Sequence, residues 1–275
     1  MDKPREIIIE PGRSIRNYWG DLWHCRELFL YMAWRDLLLR YKHLSIGFAW
    51  AILRPFLTML ILTLIFSRLA KLPSAGVPYS LLVYVGMLPW QFFATAFTDA
   101  GNSLTNKENI IAKIYFPRLI IPASAVLGSL VDFLAACSVL IGMMIWYRIV
   151  PDWRLVAFPL LVMLVLTITL GAGFWISALA AKYKDFRYVI PFMVQVGLYI
   201  SPIGFHAGIV PEKWLILYSL NPMVGVIEGF RWSVLGIETQ MLITSIQMSC
   251  ATAGLLLISG FYYFRGIERS LAEIL

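Results

Sequence analysis

Apolar and polar positions fall in long blocks along this chain. Apolar runs occupy residues 48–67, 79–98, 119–146, 155–179, 189–205 and 241–261, and shorter polar intervals separate most of them. A helix of about 20 apolar residues crosses a bilayer core. The pattern therefore predicts an all-α integral membrane fold with six transmembrane helices.

Two stretches break the pattern. Residues 14–45 are too charged to span, yet Leu30, Trp34, Leu37, Leu38 and Tyr41 recur every three to four residues, while Glu27, Arg35, Asp36 and Arg40 fall largely elsewhere. This spacing predicts an amphipathic helix lying along the membrane face; the alternative is a solvated helix capping the bundle. Residues 206–240 are apolar but repeatedly interrupted. Pro211 and Pro222 are each placed to start a short helix, Asn221 is a natural cap, and Glu228 and Arg231 are spaced to pair on one face. Two short re-entrant helices in the outer leaflet are expected, with one additional span as the alternative.

Composition excludes whole classes of protein. Of the 275 residues, 60 % are apolar and 14 % charged, and the mean hydropathy is +0.75. A soluble monomer of this size could not hide that much apolar surface, and a disordered chain would be far more polar. Residues 1–13 are charged and contain proline, so no cleavable signal peptide is expected. Cys25, Cys137 and Cys250 are far apart and suggest neither disulfides nor a metal motif.

Charge sets the expected orientation. With six spans, sixteen Lys or Arg fall on the side of the termini and six on the other. Both termini are therefore expected in the cytoplasm. The net charge of +7 then points to anionic lipid rather than to nucleic acid.

No constellation for catalysis is present. His24, His43 and His206 are isolated, no zinc spacing occurs, and neither a GxSxG nor a P-loop motif is found. The chain is expected to be no enzyme and to bind no cofactor. Charges within the apolar runs are functional candidates by default. Arg54 is close enough to its helix start to snorkel to the headgroups, or it lines a pathway. Asp132 must pair or take a proton; it could pair with Arg54 or serve a polar pathway. Aromatic residues such as Trp50, Tyr84, Trp90 and Trp146 gather at run ends, as interfacial belts require, and their faces also suit stacking on sugar rings. Residues 102–113 are expected to form a short helix in water beyond the second span, a docking surface for a cytoplasmic partner.

Three stretches carry a family resemblance: WRDLLLRYKHLSIGFAWAILRPF (34–56), NKENIIAKIYFPRLIIP (106–122), and KYKDFRYVIPFMVQVGLYISPIGF (182–205) continuing to LNPMVGVIEGFRWSVLG (220–236). In these the chain resembles the membrane subunit of the ABC-2 type exporters of bacterial polysaccharides, the O-antigen, capsule and teichoic acid group. The resemblance spans nearly the whole chain.

The resemblance implies a homodimer joined to two ATP-binding cassette subunits, with ATP and Mg bound by those partners. An undecaprenyl-linked glycan, O-antigen first among the candidates, would cross the inner membrane through the dimer's channel. Residues 1–47 would form a cytoplasmic region with the interfacial helix, 48–263 the transmembrane domain and 264–275 a cytoplasmic tail. Arg35, Arg40, Asn102, Lys107, Glu108, Asn109 and Lys113 would couple to the ATPase. Arg54, Asp132, Trp50, Tyr84, Trp90, Tyr199, Glu228 and Arg231 would lie along the substrate's path. Export of a small lipophilic compound by the same fold is the alternative. A membrane-embedded glycan-processing enzyme is disfavoured for want of a polar cluster.

Overall fold

The computed structural model describes residues 15–42, 47–69, 76–111, 116–239 and 241–268, and these are helical with short connections. In chain order the α-helices are α1 (Ile15–His24), α2 (Arg26–Lys42), α3 (Gly47–Thr63), α4 (Tyr79–Asn106), α5 (Glu108–Ile111), α6 (Ile120–Trp146), α7 (Phe158–Lys182), α8 (Phe186–Ile200), α9 (Glu212–Tyr218), α10 (Pro222–Leu235) and α11 (Leu242–Glu268). Among the described residues, four stretches are long and apolar enough to cross a membrane: Tyr79–Asn106, Ile120–Trp146, Trp153–Lys182 and Leu242–Glu268. Two shorter apolar helical stretches, Pro55–Ser67 and Phe186–Ile200, fall on the first and fifth predicted runs.

α4 is the central element. In its most apolar window 72 % of residues are buried, against 22 % in that of α11. α6, α7, α8, α10 and α3 all pack on it. α7 and α11 pack closely where glycines let the backbones meet: a Cβ on Gly260 would stand 2.5 Å from the Gly171 carbonyl oxygen. Small residues at such crossings give close van der Waals packing, which holds helices together where the surrounding solvent is itself apolar.

The second run was expected to end near residue 98, with a separate helix over 102–113. Instead α4 continues unbroken to Asn106, Lys107 caps it, and the single turn of α5 follows as far as Ile111, with residues 112–115 outside the described ones. The reason is burial. Ser103, Leu104 and Lys107 are 4 %, 0 % and 7 % exposed, so this polar interval packs inward rather than entering water.

At the opposite end of α4, the interrupted region follows its expected punctuation. Pro211 precedes α9. Pro222 opens α10, and the Asn221 side chain accepts from the Met223 backbone N–H at 3.0 Å. At 1.5 Å per residue, α9 and α10 are about 10 and 21 Å long, too short to cross a bilayer. α10 ends at Gly236, whose φ of +70° favours a residue without a Cβ. Arg154 donates to the Gly236 carbonyl at 2.7 Å and to Glu238 at 2.8 Å, fixing this end.

Candidate functional site

Polar side chains collect at the two ends of the bundle, separated by about 30 Å along α4. At one end the organiser is α2. Its apolar residues Leu30, Tyr31, Trp34 and Leu38 face outward and are exposed, while Arg35, Asp36 and Arg40 lie partly buried against the bundle. Met32 and Ala33 are buried beside them, so α2 turns both apolar and charged side chains toward the bundle.

The inward charges make a clasp. Arg40 Nη2 donates to Asp99 Oδ2 on α4 at 2.6 Å, and Arg40 Nη1 donates to Asp132 on α6. Ser129, one turn before Asp132, donates to the same Asp99 oxygen at 3.0 Å. One turn along α2 from Arg40, Asp36 accepts from Lys107 at the end of α4 and pairs with the adjacent Arg35 at 3.3 Å. Burial pushes the Lys107 ammonium below the usual lysine range, and the bond to Asp36 opposes that shift. The i, i+4 spacing of Asp36 and Arg40 is what places both on one face. α1 is fastened nearby: the Tyr18 hydroxyl and the Arg118 backbone N–H both donate to Glu268, at 3.4 and 2.8 Å, and Arg265 stacks over the Tyr18 ring.

At the other end, Arg231 on α10 is completely buried. Its Nη1 donates to Glu228 Oε1 at 3.0 Å and to the Phe205 carbonyl at 2.8 Å, and its Nη2 donates to the Ile203 carbonyl at 2.8 Å. Glu228 Oε1 also accepts from the Ala207 backbone N–H at 3.1 Å. The Tyr79 hydroxyl at the start of α4 donates to the Gly204 carbonyl. A non-helical segment between α8 and α9 is thus held in place by one buried ion pair, whose donors satisfy backbone carbonyls that no helix serves.

The pattern of the family described as ABC-2 type transporter matches residues 27–235, from α2 to the end of α10. The chain belongs to this family. The ABC-2 chain is also similar to curated relatives. It is 28 % identical over 253 residues to the O-antigen export system permease protein RfbA of Klebsiella pneumoniae, covering 90 % of this chain and 95 % of the relative. It is 24 % identical over 213 residues to the RfbA permease of Myxococcus xanthus, covering 77 % and 81 %. It is 22 % identical over 213 residues to the polysialic acid transport protein KpsM of Escherichia coli, covering 73 % and 78 %. With its long apolar helices, the ABC-2 chain is a multi-pass membrane protein of a transport family that works with ATP-binding subunits.

The geometry regroups the residues singled out from the sequence of this ABC-2 protein. Arg40, Lys107 and Asp132 come together in one clasp, with Arg35 beside it. Asp132 accepts from Arg40 on α2, and the side chain of Arg54, its suggested partner, lies outside the described residues. Glu228 and Arg231 pair as their spacing suggested. Asn102 donates to the Thr98 carbonyl within α4, and Glu108 and Asn109 are exposed beyond it. Tyr199 is 71 % exposed on α8. Tyr84 and Trp90, by contrast, are core residues of the subunit, 1 % and 5 % exposed. The Tyr84 hydroxyl donates to the Ala136 carbonyl at 2.9 Å, and the Trp90 ring packs over Gly197. Their position at run ends suggested a belt, but α4 is too deeply enclosed to carry one. The side chains of Trp50 and Arg54, and Lys113 altogether, lie outside the described residues. Asp36, Asp99 and Ser129 complete the clasp without having been singled out. Charges on an otherwise apolar helix were the available signal, because in lipid they mark the face turned inward.

Proposed function

We propose that this chain is the permease subunit of an ATP-driven exporter that moves a lipid-linked polysaccharide, O-antigen in the first instance, across the inner membrane. The observation that carries this reading is the near end-to-end similarity to an O-antigen export permease, with 90 % of one chain matched to 95 % of the other. Similarity to a polysialic acid transport protein supports a glycan substrate without narrowing it to one polymer.

In this reading α3 and α8 complete six spans, α9 and α10 are re-entrant in the outer leaflet, and both termini are cytoplasmic. The domain limits at 47 and 263 follow. Two copies form the channel, and two ATP-binding subunits bind ATP and Mg. α2 lies at the inner headgroup layer and meets the ATPase together with the exposed Glu108 and Asn109. The clasp then supplies the mechanical link. Arg40 joins α2 to α4 and α6 at once, so a displacement of α2 by the ATPase is carried directly into two spans. Arg54 is assigned to the pyrophosphate of the undecaprenyl carrier at the cytoplasmic entrance, and Asp132, Tyr199 and Trp50 to the substrate's route.

The test is deletion of the gene followed by analysis of surface and carrier-linked glycan. The expected result is loss of one polymer from the surface and its accumulation on the carrier lipid inside the cell. An unchanged surface with no accumulation overturns the reading and leaves export of a small lipophilic compound. Normal export by an Arg54→Ala variant at normal membrane levels removes Arg54 from the mechanism.

A further inference from the structure

One titratable side chain in the segment between α8 and α9 has no part in the reading above. His206 immediately precedes the single 3-10 turn Ala207–Ile209. Its Nδ1 accepts from the Gly208 backbone N–H at 3.0 Å, capping that turn. A ring nitrogen that accepts carries no hydrogen, so the neutral imidazole holds its proton on Nε2. Nε2 stands 3.7 Å from Glu228 Oε2. Among the described residues, Nε2, Oε2 and the Tyr218 hydroxyl are all buried without a hydrogen-bond partner. Glu228 is 2 % exposed, whereas the His206 side chain is 16 % exposed and so is the member of the group within reach of water.

We propose that His206 is a proton-binding site that releases the 207–209 turn on acidification. A second proton, taken from water, has only Nδ1 to occupy. The imidazolium then has two N–H donors and no acceptor, so the bond from Gly208 is lost. At the same time the charged ring is drawn toward Glu228 Oε2, the carboxylate oxygen that Arg231 leaves unengaged. Among the described residues, the other charged or titratable groups facing this pair are Arg231 on α10, Tyr218 on α9 and Tyr79 at the start of α4. α11 brings only the hydroxyls of Ser245 and Ser249 against this region. Of these side-chain types, histidine alone changes charge between pH 5 and 8. The cap is therefore present with the neutral ring and absent with the imidazolium. Two side chains hold successive amides here, Glu228 on Ala207 and His206 on Gly208. Acid removes the second hold and keeps the first. In the orientation proposed above, acid reaching this end of the bundle comes from outside the cell.

The test is hydrogen exchange on the full permease assembled with its ATP-binding partner in lipid nanodiscs, where both faces meet the buffer. Rates are corrected for the intrinsic pH dependence of exchange. Peptides covering 203–211 are expected to exchange about fivefold faster at pH 5.5 than at pH 8, the factor that losing one capping hydrogen bond of about 1 kcal/mol sets. His206→Asn keeps a capping oxygen at this position but does not titrate, so its exchange is expected to be the same at both pH values. Glu228→Gln removes the attraction for the imidazolium and is expected to narrow the difference in exchange between the two pH values. If that variant fails to fold, His206→Asn decides alone. Equal protection of the wild type at both pH values, or a pH difference that persists in His206→Asn, overturns the proposal. Neither outcome depends on the polymer exported, so failure here is distinct from failure of the glycan deletion test.

Discussion

Arg40 and Asp99 meet at 2.6 Å although 59 residues of chain separate them, and the same guanidinium also engages Asp132. One side chain of the peripheral helix α2 therefore holds two long apolar helices of the bundle. The Arg40, Asp99 and Asp132 side chains are each about a quarter to a third exposed, between the surface and fully buried limits. Removing Arg40 takes a shared cation from two carboxylates, which places the cost of Arg40→Ala at about 2 kcal/mol, between those limits. Arg40→Lys keeps the charge but loses the planar fork that serves two acceptors at once, and is expected to fall between wild type and alanine. Thermal unfolding of the purified protein in detergent reads both. In the Arg40→Ala background, Asp132→Asn should cost less than it does alone, by about 1 kcal/mol, because the residues are coupled.

The Lys107–Asp36 pair separates stability from coupling. Lys107 is 7 % exposed, so Lys107→Met leaves Asp36 without its principal partner and should destabilise by about 2 to 3 kcal/mol. Adding Asp36→Leu removes the stranded charge, and apolar replacement of a buried pair is often neutral. The double variant should therefore regain most of the melting temperature. If the pair serves only folding, export recovers with it. The proposed mechanical role predicts that surface glycan stays reduced while stability returns.

Periodicity made the long helices legible because lipid-facing helices must be apolar over their whole crossing length. It also made α9 and α10 legible, because Pro211, Asn221 and Pro222 act locally at their starts. What it misjudged was the polar interval after residue 98. Asp99 and Lys107 look like loop residues in isolation, and only the arrival of Asp36 and Arg40 from α2 makes them interior. Such long-range pairing leaves no periodic trace. The aromatics show the same limit: Tyr84 and Trp90 sit where belt residues sit in sequence, but enclosure of α4 by its neighbours is a property of the assembled bundle. The Glu228–Arg231 pair was visible from spacing alone, whereas its bonds to the Ile203 and Phe205 carbonyls depend on how the α8–α9 connection folds back.

That connection makes Gly86 on α4 sensitive. A Cβ at Gly86 would stand 2.7 Å from Arg231 Nη2, inside a site where the guanidinium has no exposed surface. Gly86→Ala is expected to displace the guanidinium and cost about 1 to 3 kcal/mol, the usual range for overpacking. Arg231→Leu is the stronger lesion, at about 3 to 5 kcal/mol, because it leaves Glu228 buried without its cation. Melting temperature and the monodisperse fraction after detergent extraction should rank the two variants in that order.

Glu108 tests the opposite surface, where folding and function are expected to part. It is exposed on the single turn of α5, and no side-chain bond holds it among the described residues. Glu108→Lys should leave the melting temperature near wild type, since exposed substitutions of this kind stay within about 0.5 kcal/mol. The reversal of charge nevertheless falls on the surface assigned to the ATP-binding subunit. A loss of about 1 kcal/mol of interface binding would weaken association roughly fivefold, because each 1.4 kcal/mol is tenfold. Co-purification of the ATP-binding subunit should fall accordingly, with surface glycan reduced in parallel. Full retention of the partner by a stable Glu108→Lys protein would remove α5 from the docking surface and leave α2 as the contact that carries the ATPase's movement into the clasp.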